Sequence, residues 1–304
     1  MISEKIYLSK IHGSILEALA YFDIFSYPLK ESEILFFLPT LKENIKQELN
    51  DLIEKKLVFK IDEFYSLKSD KSSIERRLEG NKQAELYLPL AKSKAHFIAK
   101  FPFVKGVAIS GSMSKKYYDK NSDFDFFVIT DPGRLWLARS ILVFYKKIFL
   151  FNSRKYFCVN YFLDTEHLNI EEKNLFTATE ITTLLPVSGK KTFQDFFTSN
   201  NWITEFLPNA RVNDLKEVNE NPKNLIKTWL EKILKTFLGE MLDEFFMKLT
   251  FYYWKNKFEE FNQKQLNIAL KSRKYVSKHH PQNFQQKVLN ALDEKVNAYK
   301  NFFN

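Results

Sequence analysis

The chain is poor in cysteine and glycine. Its 304 residues hold one cysteine, Cys158, and seven glycines. A single thiol excludes an intrachain disulfide and a multi-thiolate metal site, and it fits a reducing, cytoplasmic setting. So few glycines argue against a Rossmann-type or P-loop enzyme, in which several glycines shape one phosphate-binding turn. A long uncharged apolar run is also missing. The most apolar stretch, residues 134–151, is interrupted by Arg134, Arg139 and the Lys146–Lys147 pair. Too few uncharged residues remain to cross a bilayer, so a sheet-covering helix is expected there and no membrane partner. The first ten residues carry no continuous apolar core or cleavage signal, and no secretory leader is expected. Acidic charge is in deficit, with 37 Asp and Glu against 46 Lys and Arg, a net +9 and a pI near 9.2. That balance suits an anionic partner such as nucleotide, RNA or DNA, although abundant lysine alone also produces it. Phenylalanine, in contrast, is plentiful at 31 residues. The length is enough for two or three domains.

Against this background one stretch stands out, Gly106–Thr130, reading GVAISGSMSKKYYDKNSDFDFFVIT. Val107 and Ile109 are β-branched and alternate, which predicts a strand. Gly111 lacks a Cβ, so the backbone can turn sharply and approach a ligand there. Ser112 follows with a backbone N–H and a hydroxyl at the start of a short helix, a place that favours phosphate oxygens. Asp123 and Asp125 stand two apart on a second predicted strand, which directs both carboxylates to one face. Two adjacent carboxylates repel unless a cation lies between them, and Mg²⁺ prefers such hard oxygen donors. A phosphate cradle beside a divalent-metal clamp is equipment for nucleotidyl or phosphoryl transfer.

Gly-Ser, about ten residues, then Asp-x-Asp among apolar residues resembles the signature of the DNA polymerase beta-like nucleotidyltransferase superfamily, closest to its minimal and antibiotic-modifying bacterial types. Their Gly-Ser-x-Ala-Arg-Gly helix aligns without gaps on Gly111–Lys116 and continues into Ser122, Asp123 and Asp125. Ser114 stands where that pattern has alanine, Lys115 where it has arginine and Lys116 where it has glycine. The resemblance implies that Asp123 and Asp125 hold Mg²⁺ (or Mn²⁺). It also implies that Gly111 and Ser112, with Ser122 nearby, bind the nucleotide, and that Lys115 neutralises the triphosphate. The superfamily supplies a third carboxylate from the next strand, as metal ligand or general base. Here that strand, Tyr156–Leu163, offers Asn160, which cannot act as a base. Asp164 and Glu166 remain as substitutes if the strand ends early.

The flanks carry further expectations. Residues 1–70 give helical stripes at Ile15–Phe22, Glu31–Phe37 and Leu41–Lys55, then two short strands around Asp62-Glu63, an order resembling a winged helix. The third helix mixes acidic and basic residues, which favours docking or structural work over reading a DNA groove. Residues 71–101 read as a connecting helical segment kinked or broken into two helices just before Pro89 and weakened by Gly80. Residues 171–189 read as a helix ended by Pro186 and Gly189, with Thr177, Thr179 and Glu180 as candidates to border a nucleotide pocket. Residues 223–304 read as helical, with Leu225, Trp229, Ile233, Phe237, Met241, Phe245 and Leu249 forming a wide buried stripe. Arg273, Lys274 and Lys278 are candidate triphosphate contacts, and His279 with His280 a weaker metal-binding pair.

The sequence therefore predicts an α+β protein: a small mixed sheet flanked by helices, with an N-terminal winged helix and a C-terminal helical domain. Its parts are residues 1–70, 71–101, a nucleotidyltransferase core at 102–206, and 207–304. The implied reaction is Mg²⁺-dependent transfer of a nucleoside monophosphate from NTP to an acceptor hydroxyl, the acceptor (small molecule, RNA or protein) being left open. A degenerate fold acting as nucleotide sensor, motivated by Asn160, and a winged-helix DNA-binding regulator are the rivals.

Overall fold

The computed structural model describes residues 8–153, 155–222, 224–261, 269–279 and 282–300. Ser9 caps the first helix, α1 (Lys10–Asp23): its Oγ accepts the His12 N–H while His12 Nδ1 accepts the Ser9 N–H. Then follow β1 (Leu29–Lys30), α2 (Glu31–Phe36), α3 (Lys46–Glu54) and a hairpin of β2 (Phe59–Ile61) and β3 (Phe64–Ser66). The three strands pair antiparallel in the order β1-β3-β2. The core of this N-terminal unit is not closed on itself. Ile15, Leu19 and Phe22 share one apolar cluster with Val288 and Leu292 of the last helix, α12 (Phe284–Lys300).

Lys71–Ile98 forms one 28-residue helix, α4, and is not broken at Pro89, where a kink or a break is expected. Asp70 caps it by accepting the Ser72 N–H at 2.9 Å. Pro89 removes one backbone donor, but Glu85, whose carbonyl loses its partner, lies on the exposed side where water can serve it. The buried side of α4, through Ala84, Ala91, Ala95 and Ile98, packs against the central sheet.

That sheet has six strands in the order β7-β4-β5-β6-β9-β8. β4 (Val104–Ser110) and β5 (Asp125–Thr130) are antiparallel, flanking the short α5 (Gly111–Ser114), whereas β5 and β6 (Cys158–Asp164) are parallel and joined through α6 (Leu135–Phe149). Both faces are covered, as the alternation along the strands requires. Val107, Ile109, Phe126 and Val128 meet α4 and α6, while Ala108, Phe127 and Ile129 meet α7 (Leu175–Thr183) and α8 (Lys190–Ser199). The α+β class, with its mixed sheet between helices, is as expected. No described helix is long and apolar enough to cross a membrane. In α6, Arg139 is buried between the rings of Trp136 and Trp254, at 5.5 and 4.8 Å, and burial lowers its pKa to about 10.

Three expectations fail. The helix expected over 171–189 stops at Thr183, and Leu185–Ser188 becomes β7, paired with β4 and touched on its other side by a single bridge from Ser188 to Asn219. Pro186 is tolerated because β7 is an edge strand, where a missing N–H disturbs no further partner. The uniformly helical C-terminus is also corrected. After α9 (Ile203–Phe206), α10 (Leu225–Leu234) and α11 (Phe237–Lys257), a hairpin of β8 (Ser272–Arg273) and β9 (Val276–Lys278) extends the sheet beside β6. Finally, the four-residue apolar stripe is not buried. Trp229, Phe237, Met241, Phe245 and Leu249 are all more than half exposed, because the opposite side of α11 holds α6, with Asp243 accepting the Leu137 N–H at 2.8 Å.

Candidate functional site

β4 delivers the chain to Gly111, which adopts φ +67°, a left-handed conformation that glycine takes without strain. Its neighbour across the strand pair is Asp125: a Cβ on Gly111 would stand 2.5 Å from Asp125 Oδ2. Glycine is thus required twice, for the turn and for the carboxylate beside it. The turn closes when the N–H groups of Lys115 and Tyr117 both donate to the Ser112 carbonyl at 3.0 Å. Lys116 then takes φ +61°, at the position where the superfamily pattern has glycine.

Helix α4 braces this turn. Asn81 Nδ2 donates to the Lys116 carbonyl, and the Tyr118 N–H donates to the Gly80 carbonyl at 3.1 Å. Gly80 is more than a weak helix residue, since the Tyr117 ring occupies the space its Cβ would fill. Arg76 Nε donates to Tyr117 Oη at 2.9 Å, and Tyr117 donates onward to Asp119 Oδ2 at 3.0 Å. Ser122 Oγ donates to the other Asp119 oxygen at 3.0 Å, so its hydroxyl ties down the loop that carries Asp123.

Asp125 heads β5, with Asp123 two residues earlier in the preceding loop. The pairing of β5 with β6 shifts register between Val159 and Tyr161, leaving Asn160 unpaired in the bulge. Its side chain turns to the carboxylate, and Nδ2 donates to Asp125 Oδ1 at 2.9 Å. The Asn160 carbonyl accepts the His279 N–H at 2.8 Å. Burial pushes the Asp125 carboxyl up to about 7, assisted by the nearby Asp123 and Glu180 charges and opposed by a Cys158 hydrogen bond and by Lys115. Burial also raises the Cys158 thiol, which accounts for the lone cysteine as an inert neighbour. Two hard carboxylates in a poorly solvated mouth fit a divalent cation, which would compensate the burial that now favours the protonated form of Asp125. Among the described residues no group of three or more His, Cys, Asp or Glu side chains stands together to hold a metal.

Gly111, Ser112, Lys115, Ser122, Asp123, Asp125 and Asn160 all line one cleft of about 1490 Å³. Lys115 is engaged: its Nζ lies 2.7 Å from Glu180 Oε1 and 3.2 Å from the Gly111 carbonyl. Thr177 and Glu180 line the cleft from α7, whereas Thr179 is buried in the helix packing. Asp164 and Glu166 lie elsewhere. Asp164 sits at the far end of β6, where it accepts the N–H groups of Glu166 and His167 at 3.0 and 2.9 Å and closes a turn. Arg273 donates to Glu171 and Tyr275 outside the cleft. Lys278 does line it, donating to Gln285 at 2.8 Å, with its pKa lowered by burial. His279 also lines it; His280 falls outside the described residues.

Sequence reasoning missed the walls. Phe22, Phe25 and Tyr27 enter from the N-terminal unit, Arg76 from α4, and Tyr253 and Lys257 from α11. No local pattern marks them, because separate segments meet only in the fold.

Residues 90–183, from the second half of α4 to the end of α7, match the family model described as a nucleotidyltransferase domain. The chain contains a nucleotidyltransferase domain. No curated protein matches the chain, and no solved structure matches it. The matched span includes the Gly-Ser turn, both aspartates and Asn160, and therefore every cleft residue singled out from the signature. It leaves out Phe22, Phe25, Tyr27 and the α11 wall.

Proposed function

We propose that this protein is a Mg²⁺-dependent nucleotidyltransferase that moves a nucleoside monophosphate from NTP to an acceptor hydroxyl. The observation carrying this reading is the packing of the Gly111 turn against Asp125 at the mouth of the large cleft. Asp123 and Asp125 would hold Mg²⁺ (or Mn²⁺), and the ion when bound would neutralise charge on the phosphates. Gly111 and Ser112 place backbone against the triphosphate, and Lys115 supplies a positive charge after exchanging Glu180 for phosphate. Asn160 fixes the rotamer of Asp125 but cannot take the acceptor's proton. In the reaction a bond forms between the acceptor oxygen and the α-phosphorus while the bond to pyrophosphate breaks, and the hydroxyl proton leaves to solvent. At about 1490 Å³ the cleft exceeds the roughly 300–1,000 Å³ of ordinary ligand sites, leaving room for an acceptor beside the nucleotide.

We read the N-terminal unit as winged-helix-like, supported by its helix and strand order. Its placement favours substrate positioning, since Phe22, Phe25 and Tyr27 form part of the cleft wall. A second reading rests on Asn160 and the Lys115–Glu180 pair: a nucleotide sensor that binds NTP without transferring it. Incubation with α-labelled NTP and Mg²⁺ or Mn²⁺ separates the two. Label transferred by the wild type and lost in Asp123→Ala/Asp125→Ala supports the enzyme, whereas nucleotide binding without transfer supports the sensor.

A further inference from the structure

Helix α11 presents an apolar stripe to solvent along its whole length. Phe237 is 73% exposed, Met241 54%, Phe245 56%, Leu249 51% and Tyr252 66%, and Trp229 of α10 adds another ring at 62%. Large apolar side chains placed singly on a surface are ordinary; a contiguous row of them over a 21-residue helix marks an interaction face. An aromatic side chain buries about 150–250 Å² when fully covered, so the four rings, each between half and three-quarters exposed, still offer roughly 400–650 Å², to which Met241 and Leu249 add. That approaches the roughly 800 Å² per partner of a standard stable interface.

The charges beside the stripe say what covers it. Glu240 and Glu244 run along one flank of the first half of α11, and Lys248 and Lys255 along the same flank of the second half; within one chain Glu244 pairs with Lys248 at 2.6 Å and Glu240 lies 3.9 Å from Arg134, exposed pairs worth little that can exchange partners across an interface. When two identical helices pair antiparallel, each flank meets the same flank of the other with its ends exchanged. The acidic half of one α11 then faces the basic half of the other, while the apolar stripes pack together. A parallel pairing would set each flank against the opposite flank of the partner, and this match of acidic with basic halves would be lost. An anionic membrane surface would be repelled by Glu240 and Glu244, which are 66% and 61% exposed at the edge of the stripe.

We propose that the α11 stripe is the two-fold interface of a homodimer, formed by antiparallel packing of α11 against a second copy of this chain. Leu249 and Tyr253 belong both to the exposed face and to the wall of the cleft, so the second copy sits at the cleft's open rim. The interface stands independently of the transferase reading.

The test is sedimentation equilibrium of the full chain at micromolar concentration. The wild type sediments at twice the 36.2 kDa monomer mass. Met241→Glu/Phe245→Glu sediments as a monomer with unchanged circular dichroism, and its melting temperature no longer rises with protein concentration as that of the dimer does. Glu240→Lys/Glu244→Lys weakens the dimer about tenfold or more, and adding Lys248→Glu/Lys255→Glu restores it. A monomeric wild type overturns the proposal, as does a dimer indifferent to both substitutions at the stripe. Failure of the four-fold charge reversal to restore a dimer weakened by the first pair overturns the antiparallel arrangement. Monomeric protein that co-sediments with phosphatidylcholine–phosphatidylglycerol vesicles assigns the stripe to a membrane surface instead.

Discussion

Asn160 donates its side-chain amide to Oδ1 of Asp125 at 2.9 Å, from a β-bulge that turns it out of the strand ladder. On the proposed reading, in which Asp125 would hold the metal and Asn160 takes the place of a third carboxylate, the side chain still addresses that aspartate, as a donor where an acceptor would serve catalysis. Asn160→Asp exchanges that donor for a carboxylate able to accept the proton of an attacking hydroxyl. Single-turnover transfer with Mg²⁺ should rise by about 10²-fold, the lower end of general-base contributions. Without Mg²⁺ the variant should melt at a lower temperature, because three carboxylates then crowd one site.

Glu180 holds Lys115 at 2.7 Å, with both side chains largely shielded from solvent. Glu180→Gln removes the competing anion and should tighten triphosphate binding about fivefold, as expected for a partly exposed pair of about 1 kcal/mol. Titration with a non-transferable NTP analogue measures it. Weaker binding would mean that Glu180 positions Lys115 and does not compete for it.

Gly111→Ala should abolish nucleotide binding. The new methyl group meets Asp125 Oδ2, and φ +67° costs an L-residue about 1–2 kcal/mol before that clash is counted. Calorimetric titration with NTP and thermal melting read the two effects separately.

Lys116→Gly should act in the opposite direction on stability. Lys116 occupies φ +61°, and relieving it should stabilise the fold by roughly 0.5–1 kcal/mol after the greater freedom of glycine in the unfolded chain. Urea unfolding of the two proteins is the check.

Asp243 supplies a pH dependence. Burial raises its carboxyl from 3.8 to about 6, although it accepts the Leu137 N–H. Between those values the folded state binds more protons than the unfolded chain, so stability falls as pH rises from about 4 to about 6 and stays lower above that. Asp243→Asn retains an acceptor without the charge. It should be more stable than the wild type by about 3 kcal/mol at pH 7, the difference closing near pH 4.

The site was legible because its residues are local. Gly111, Ser112, Asp123 and Asp125 lie within one hairpin-like unit, where turn chemistry and strand alternation depend on near neighbours. Asn160 was legible through strand order, although the bulge that aims it was not. The break that was one of two outcomes expected at Pro89 does not occur and Pro186 was misread, because the rules for proline depend on which side is solvent and which strand is an edge, both tertiary facts. Gly80 looked like a helix flaw until Tyr117 was seen to need its space. The α11 stripe was read as buried on periodicity alone, yet spacing shows only that a face is apolar and not what covers it.

The most direct measurement is transfer from each α-labelled NTP, with Mg²⁺ or Mn²⁺, into a cell extract by the wild type and by Asp123→Ala/Asp125→Ala. The account predicts a labelled product made by the wild type alone, whose size identifies the acceptor class. NTP bound by the wild type with no label moved under either metal would contradict it and leave the nucleotide sensor in its place.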